Sequence, residues 1–424
     1  MPGRGKRAPT KPPVPRAALA AVLCAQFALA VTLGWLLPLP PPDQAPDESA
    51  HGIYIEHLVR DHTLPVFDAA RGRDNPEYEF HQPPLYYALA APVFAAAGGG
   101  AGGTRAVRVL SALIGLITTL AAFAIARALW PDPPHIAVGA AAVTAFWPMH
   151  LYAGASVNND GLAVALWTVA LWLLARYLRA PALRGAALAG AVTGLALLTK
   201  TSALVLVPLG VIAIALAWAR RPSGAWRRVI SDGGVFLGAV AVIGGWWLVR
   251  NQMLYGDPFA YGVFKAAFGW QSPERWFTAR GFNDVTHWGA VAVLTHQSFW
   301  GAFGLGPQGV PAAVFPKWVY ALLSLIAVPA LVAAYGVLRA REQTVRSTGL
   351  VLVTAWVFVF CAFLRFNLDL FQPQGRYLLP VVPIIGVLLS RGWYDLGRGR
   401  AWALLPGSVL LACALYELVL VVRL

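Results

Sequence analysis

The chain has 424 residues, of which 58% are hydrophobic and only 12% are charged, and its mean hydropathy is +0.61. A soluble domain carries about 25% charged residues, so this composition excludes a disordered chain, a secreted disulfide scaffold and a soluble multidomain enzyme. The 33 Lys and Arg against 19 Asp and Glu give a net charge of +14. In a membrane protein, an excess of positive charge is explained by the loops that lie in the cytoplasm rather than by a nucleic-acid partner. We therefore predict a polytopic membrane protein that binds no nucleic acid.

The chain starts with a basic tail and then becomes apolar. Residues 1–16 contain five Lys or Arg, several prolines and no acid, and are predicted to be a disordered cytoplasmic tail. The apolar run over 17–37 lacks a cleavage site of small residues and is predicted to be the first transmembrane helix. Residues 17–424 are predicted to form one transmembrane domain without a large soluble domain.

Eleven further apolar segments follow the first one. They cover residues 84–98, 106–129, 136–152, 161–178, 185–199, 203–219, 229–249, 318–338, 349–364, 378–390 and 402–422. The predicted fold class is therefore all-α, a bundle of 11–12 transmembrane hydrophobic segments, several of them shorter than the ~20 residues of a straight span. Two long polar stretches interrupt the pattern: 38–83, which we call the first loop, with a helical pattern of its own, and 250–317.

The distribution of Lys and Arg predicts the orientation, because positive loops stay in the cytoplasm. The basic clusters, among which we count Arg105 and Arg108, are assigned to the cytoplasm. This assignment places the N-terminus in the cytoplasm and the first loop at the outer face. However, three apolar segments separate the first loop from 153–160, and an odd number of crossings would bring Asp160 to the inside. We therefore expect that one of the three does not cross fully, and the segment we choose is 136–152, which contains Pro148.

The first loop holds nine of the 19 acids and four of the eight histidines. Asp47 and Glu48 come shortly after the first helix, and His51 follows one turn later. Two carboxylates near a low-dielectric boundary could supply a general base for a hydroxyl nucleophile. The same pair could equally serve as a helix N-cap with an acid in the first turn.

Two later polar motifs also lie at the ends of apolar segments. His81 and Gln82 precede a Pro pair that opens a helix, and the helix start explains the prolines but neither polar residue. Asp160 follows two asparagines directly before an apolar run. It could cap that helix, but an acid that faces the interior of a membrane bundle is a functional candidate.

Three cations lie apart from the basic clusters and can all face the outer side. They are Lys200, Arg250 and Arg376, the last of which is flanked by Gln374 and Tyr377. Each could simply extend its charge to the membrane interface. Together with the acids of the first loop they suit a reaction with a phosphate leaving group, because cations stabilise the departing charge while a carboxylate removes the proton of the nucleophile.

At this point the chain resembles the GT-C superfamily of integral-membrane glycosyltransferases, in the branch of the protein O-mannosyltransferases and the aminoarabinose transferase of lipid A. Four motifs in order carry the resemblance. They are Pro46-Asp47-Glu48-Ser49-Ala50-His51, His81-Gln82-Pro83-Pro84-Leu85-Tyr86-Tyr87, Ala196-Leu197-Leu198-Thr199-Lys200 and Gln374-Gly375-Arg376-Tyr377-Leu378-Leu379-Pro380.

The resemblance implies transfer of a sugar from a polyprenyl-phosphate-linked donor to an acceptor hydroxyl, with inversion, at the outer face of the cytoplasmic membrane. The acceptor would be a glycan, a lipid or a protein. The implied site residues fall into three groups: catalytic Asp47, Glu48 and Asp160; donor phosphate-binding Arg376, Lys200, Arg250, Gln374 and Tyr377; and acceptor or sugar-binding His51, His81 and Gln82.

Three alternatives stay open, one of which is an inactive structural homologue of such a transferase. A transporter or flippase of a lipid-linked sugar would also combine apolar segments with charges, although transporters often show internal repeats and midplane charges. The site is predicted to contain no metal and no cofactor. A divalent metal is the alternative, since several acids and histidines share the first loop, but their spacing does not match a standard zinc pattern.

Overall fold

The computed structural model describes residues 15–40, 44–219, 225–274, 284–305 and 311–424. The predicted cytoplasmic tail therefore lies almost wholly outside the described residues. The chain in these ranges is helical apart from one hairpin, and the helices follow in this order. They are α1 (Arg16–Leu36), α2 (Glu48–Asp61), α3 (Leu85–Ala96), α4 (Gly100–Leu129), α5 (His135–Ala145), α6 (Pro148–Gly154), α7 (Asp160–Arg179), α8 (Leu183–Leu197), α9 (Leu206–Trp218), α10 (Ala225–Val240), α11 (Trp246–Tyr255), α12 (Tyr261–Ala267), α13 (Asp284–Trp300), α14 (Lys317–Leu338), α15 (Gln343–Asp369), α16 (Val382–Gly397) and α17 (Arg400–Val421).

Short turns complete the backbone. Five are 3₁₀ turns, at Ala69–Asp74, Tyr78–His81, Thr201–Val205, Gly269–Gln271 and Gly375–Val381, and one is a π-helical turn at Ala241–Gly245. The hairpin pairs β1 (Ala302–Leu305) with β2 (Pro311–Val314) in antiparallel register.

All twelve predicted apolar segments are helical, which confirms the all-α class. In hydrocarbon a backbone must satisfy its own hydrogen bonds, and the helix does this within one segment. Nine helices of the described chain are long and apolar enough to cross a membrane, or ten if the bent pair α5–α6 counts as one span. Pro148 begins α6 at the bend, where the axes differ by 61°, because proline starts a helix well but cannot continue one.

One of the three segments before Asp160 does not cross, as expected, but it is 84–98 rather than 136–152, so the choice of segment was wrong. We call the end of the bundle at which α1 stops the loop end. At the start of α3, the Leu85 N–H donates to the carbonyl oxygen of Leu198 at the end of α8 (2.9 Å). After α3, the Arg105 guanidinium lies 4.3 Å from the ring of Trp35 near the end of α1. Both ends of α3 therefore lie at the loop end.

The α5–α6 pair runs from the opposite end to the loop end. Near its start, the ring of His135 lies 5.3 Å from that of Tyr394, close to the C-terminal end of α16. Near its finish, the Tyr152 hydroxyl donates to the carbonyl oxygen of Gln44 in the first loop. Asp160 consequently reaches the loop end without the exception that we expected for 136–152.

Arg105 and Arg108 also need correction, because both were counted with the cytoplasmic residues. They lie on the first three turns of α4, which begins at the loop end after the short α3. A twelve-residue helix is only about 18 Å long, whereas the hydrocarbon core is about 30 Å thick. Since α3 is too short to carry the chain across, these two arginines remain on the side of the first loop.

The centre of the bundle is α5, which is buried from Ile136 to Ala145. Small side chains let its neighbours approach closely, as is common between membrane helices. A Cβ atom added at Gly139 would lie 2.2 Å from the carbonyl oxygen of Ala403 on α17. This packing fixes the helices whose loop ends carry the polar residues of the site.

Candidate active site

Asp47 occupies the position before the first turn of α2, but its carboxylate does not cap that helix. Its backbone is left-handed, with φ of 59°, a conformation that is uncommon outside glycine. The side chain instead accepts a hydrogen bond from the hydroxyl of Tyr78 (2.8 Å) and one from Nη2 of Arg376. The carboxylate is thus directed to a cation rather than to the helix terminus.

Arg376 joins the two predicted catalytic aspartates. Its Nη2 pairs with Asp47, and its Nη1 lies 3.7 Å from Oδ2 of Asp160. Lys200 in turn forms an ion pair with Oδ1 of Asp160. The structure therefore brings together two acids and two cations that come from four distant parts of the chain, as the sequence analysis predicted. We call Asp47, Asp160, Lys200 and Arg376 the charge cluster.

The cluster is buried but not closed. The side chains of Arg376 and Asp160 are each 6% exposed, whereas Lys200 is 18% and Asp47 is 28% exposed. The Tyr377 ring lies beneath both cations, 5.5 Å from Nζ of Lys200 and 5.3 Å from the Arg376 guanidinium. Asp47 is thus the most accessible member of the cluster, while the aromatic face supports both positive charges.

Asp160 is the first residue of α7, and Asn159 before it makes no side-chain capping bond. Oδ1 of Asn158 accepts from the N–H of Asp160 (2.7 Å), and this leaves the Asp160 carboxylate to the cations. Asn159 donates to Oε1 of Gln82 (3.3 Å) and to the carbonyl oxygen of Thr199 (3.1 Å). These bonds tie the loop before α7 to the motif that opens α3 and to the residue before Lys200.

Gln374 and Gly375 fix the position of Arg376. Oε1 of Gln374 accepts from Nε of Arg376 (2.6 Å), and the N–H of Gly375 donates to the hydroxyl of Ser298 on α13 (2.7 Å). A Cβ atom at Gly375 would lie 2.1 Å from the backbone nitrogen of Phe299, so only glycine allows this approach. The 3₁₀ turn that carries Arg376 is therefore held rigidly against α13.

Glu48 lies outside the charge cluster, which corrects its predicted catalytic role. It forms a bidentate ion pair with Arg108, at 2.8 Å and 2.6 Å, and both side chains are 2% exposed. Its Oε1 also accepts from the N–H of Val157 (2.8 Å). Since both carboxylate oxygens are occupied and inaccessible, Glu48 has a structural role.

Arg108 makes further hydrogen bonds from this buried ion pair. Its guanidinium also donates to the carbonyl oxygens of Gly34 (2.7 Å), Leu37 (2.9 Å) and Pro38 (2.8 Å) at the end of α1. The Glu48–Arg108 ion pair thus holds Glu48, next to Asp47, and Val157, shortly before Asp160, in place against α1 and α4. It thereby positions both aspartates.

Arg250 is not brought into the charge cluster. Its Nη2 donates to the carbonyl oxygen of Pro65 (2.7 Å), and its guanidinium stacks over the ring of Trp247 (4.7 Å). The structure therefore does not place Arg250 beside the other predicted phosphate-binding residues, and its side chain joins the first loop to α11.

His51 lies one turn after Asp47 on α2 and is 2% exposed. A hydrogen bond joins its Nδ1 to the hydroxyl of Tyr87 (2.7 Å). Glu79, which sequence reasoning missed, is 7% exposed, and its Oε2 has no hydrogen-bond partner among the described residues. Asp47, His51 and Glu79 each offer one atom that could bind a metal, and these three atoms lie within 4.8 Å of one another.

His81 and Gln82 border this group. Nδ1 of His81 donates to the carbonyl oxygen of Tyr78 (2.7 Å), and Nε2 of Gln82 donates to the other ring nitrogen (3.3 Å). The His81 ring packs between Phe67 (5.5 Å) and Phe264 (4.7 Å). His81 therefore supports the wall of the site, and Gln82 links that wall to Asn159.

The titratable groups of the first loop have divergent pKa values. Burial raises the pKa of Asp47, but the positive charge of Arg376 and the hydrogen bonds from Arg376 and Tyr78 outweigh burial and hold it at about 2. Burial, reinforced by the charge of Asp47, raises the pKa of Glu79. Burial lowers the pKa of His51, and that of His81 to about 4. The site therefore contains an ionised Asp47 beside neutral histidines, and Glu79 takes up a proton more readily than usual.

The group of Asp47, His51 and Glu79 fits a divalent cation. Two carboxylates and one imidazole are a common donor set for zinc or manganese, and the buried Oε2 of Glu79 lacks a partner within the described chain. The predicted absence of a metal is therefore not established.

The chain is similar to a known family: a family model described as dolichyl-phosphate-mannose-protein mannosyltransferase matches residues 81–247. No curated protein sequence matches the chain. The family model includes the start of α3, Asp160 and Lys200 but not Asp47 or Arg376.

Solved structures share the fold. An oligosaccharyltransferase of Archaeoglobus fulgidus, in complex with Zn and sulfate, matches with a TM-score of 0.59 and 16% identity over 95% of this chain and 52% of its own. ArnT of Cupriavidus metallidurans bound to undecaprenyl phosphate matches with a TM-score of 0.54 and 17% identity over 90% of this chain and 62% of its own. The oligosaccharyltransferase AglB of Archaeoglobus fulgidus, with an inhibitory peptide and a dolichol-phosphate, matches with a TM-score of 0.55 and 14% identity, over 96% and 55%.

These matches confirm the predicted resemblance. The chain spans between half and two thirds of the length of these solved structures.

Proposed function

We propose that this chain, which has the GT-C fold of integral-membrane glycosyltransferases, transfers a sugar from a polyprenyl-phosphate-linked donor to an acceptor hydroxyl. The observation that carries the proposal is the charge cluster: Arg376 bridges Asp47 and Asp160, and Lys200 neutralises the second acid. An acid for the nucleophile and cations for a phosphate leaving group occupy one partly open site.

The mechanism is a direct displacement. The carboxylate of Asp47 takes the proton of the acceptor hydroxyl, whose oxygen attacks the anomeric carbon. The bond from that carbon to the phosphate oxygen breaks, and polyprenyl phosphate leaves with the electron pair. Arg376 and Lys200 stabilise the charge that develops on the leaving group. A single displacement inverts the anomeric configuration.

The remaining residues hold the reactants. Gln374 and Tyr377 orient the Arg376 guanidinium toward the phosphate, since they contact its Nε and its face. His51, His81 and Gln82 border the space next to Asp47, where the sugar or the acceptor lies. Asp160 keeps the Lys200 ammonium in place.

The site is assigned to the outer face of the cytoplasmic membrane, with the N-terminus of the chain in the cytoplasm. This orientation rests on the positive residues at the end of the bundle opposite the first loop. They include Arg176, Arg179, Arg184, Arg339, Arg341, Arg346, Arg391, Arg398 and Arg400.

A divalent cation would be held by Asp47, His51 and Glu79. When bound, it would supply positive charge next to the leaving group and the nucleophile. We expect the purified protein to bind one equivalent of Mn²⁺ or Zn²⁺ and the Glu79→Gln variant to bind it at least tenfold more weakly, by isothermal titration calorimetry. Glu56→Gln, an exposed acid of the same loop, is the matched control. Equal metal affinity in the Glu79→Gln and wild-type proteins would remove Glu79 from the site.

A reconstituted assay separates the enzyme from a flippase of lipid-linked sugars. Purified protein in liposomes receives a polyprenyl-phosphate-linked sugar and a mixture of glycan, lipid and peptide acceptors. We expect free polyprenyl phosphate to appear together with a glycosylated acceptor, measured by mass spectrometry. Movement of an intact donor between leaflets without release of polyprenyl phosphate would favour the flippase and overturn the proposed reaction.

A further inference from the structure

Every nitrogen of the Arg376 guanidinium faces a protein partner. Nη2 pairs with Asp47, Nε donates to Gln374, and Nη1 faces Asp160. The Lys200 ammonium pairs with Asp160, but an ammonium has three donors and can bind a phosphate as well. Arg376 is thus the cation whose phosphate-binding edge is already taken by the acids of the same site.

A phosphate that binds this guanidinium must therefore displace one of its present partners. The phosphate of a polyprenyl-phosphate-linked sugar is a diester with one negative charge, and its two free oxygens can accept two parallel hydrogen bonds from the planar fork of arginine. The phosphate and a carboxylate therefore compete for the same edge of Arg376.

We propose that the donor phosphate displaces the Asp47 carboxylate from Arg376, so that the ion pair between Asp47 and Arg376 is exchanged for one between the phosphate and Arg376. This inference rests on the proposed function and adds to it how the donor enters the site.

Asp47, rather than Arg376, is the partner that moves in this exchange. Arg376 lies on the 3₁₀ turn that Gly375 packs against α13, and its side chain is 6% exposed. Asp47 is the most exposed member of the cluster, at 28%, and it keeps a second hydrogen bond to the hydroxyl of Tyr78. When Arg376 is taken by the phosphate, Tyr78 retains the Asp47 carboxylate inside the site, next to the acceptor.

Competition predicts that removing the charge of Asp47 strengthens donor binding. The measurement is the affinity of purified protein for undecaprenyl phosphate in detergent micelles, followed by native mass spectrometry. We expect Asp47→Asn to bind this lipid about tenfold more tightly than the wild type, and Asp47→Ala to behave alike if asparagine disturbs the first loop. Glu56→Gln removes an exposed acid from the same helix and should leave the affinity unchanged.

A double-mutant cycle distinguishes exchange from simple charge repulsion. In an Arg376→Gln background no ion pair remains to be exchanged, so adding Asp47→Asn should change the affinity less than twofold. An unchanged or weaker affinity of Asp47→Asn in the wild-type background, or the same tenfold gain in the Arg376→Gln background, would overturn the inference alone. If the wild-type protein bound no undecaprenyl phosphate, the inference and the proposed function would both fail.

Discussion

Replacing Asp47 with asparagine is expected to lower the transfer rate about a thousandfold, since general base catalysis contributes roughly 10²- to 10⁴-fold. Asparagine keeps the size of the side chain but cannot accept the proton of the acceptor hydroxyl. The measurement is kcat for release of polyprenyl phosphate by protein in liposomes, at equal amounts of folded protein.

The control for this substitution is Glu56→Gln, which removes a carboxylate from an exposed position of α2 and should retain full activity. Full transfer by Asp47→Asn would exclude Asp47 as the base. The donor affinity of the same variant, expected to rise, shows that the loss comes from chemistry rather than from a disrupted site.

Replacing Glu48 with glutamine is expected to destabilise the protein by about 3–5 kcal/mol, the cost of leaving one member of a buried ion pair without its counter-charge. Arg108 would keep its bonds to the end of α1, but its charge would be uncompensated in a 2% exposed position. Thermal unfolding in detergent measures the loss. The double variant Glu48→Leu with Arg108→Met should recover part of it, because it removes both buried charges.

Arg105→Gln is the matched control for this pair. Arg105 lies one turn before Arg108, is exposed and contacts the ring of Trp35, so its loss should cost less than about 1 kcal/mol. If the Glu48→Gln protein were as stable as the wild type but inactive, Glu48 would have a catalytic role rather than a role in stabilising the fold.

The sequence predicted the charge cluster because its members stand out from their surroundings. Lys200 and Arg376 are cations at the ends of apolar segments, away from the basic clusters, and Asp47 and Asp160 precede helices. In a bundle of antiparallel helices, the ends of distant segments meet on one side. The order of apolar and polar segments therefore predicted that these side chains share one end.

The position of Glu48 could not be predicted from its place beside Asp47. Successive residues at a helix start point in directions about 100° apart, so one carboxylate faces the cluster and the next faces α4. The side of the membrane on which its partner Arg108 lies could not be predicted either. The composition of the apolar α3 does not distinguish a short helix at the loop end from a membrane span. Counting α3 as a crossing assigned Arg108 to the wrong side.

The missed Glu79 and the misplaced Arg250 have a different cause. Glu79 is one of nine acids in the first loop, and only the fold of that loop onto α2 brings it to His51. Arg250 lies at the loop end as predicted, but its place around the circumference of the bundle depends on helix packing. Neither relation has a signal in local sequence.

A structure of the protein in lipid nanodiscs with undecaprenyl phosphate tests the account most directly. The account predicts the phosphate group about 3 Å from the Arg376 guanidinium and the Lys200 ammonium, with the Asp47 carboxylate nearby and no longer paired with Arg376. A phosphate bound at another part of the chain, with the Asp47–Arg376 ion pair intact, would contradict it.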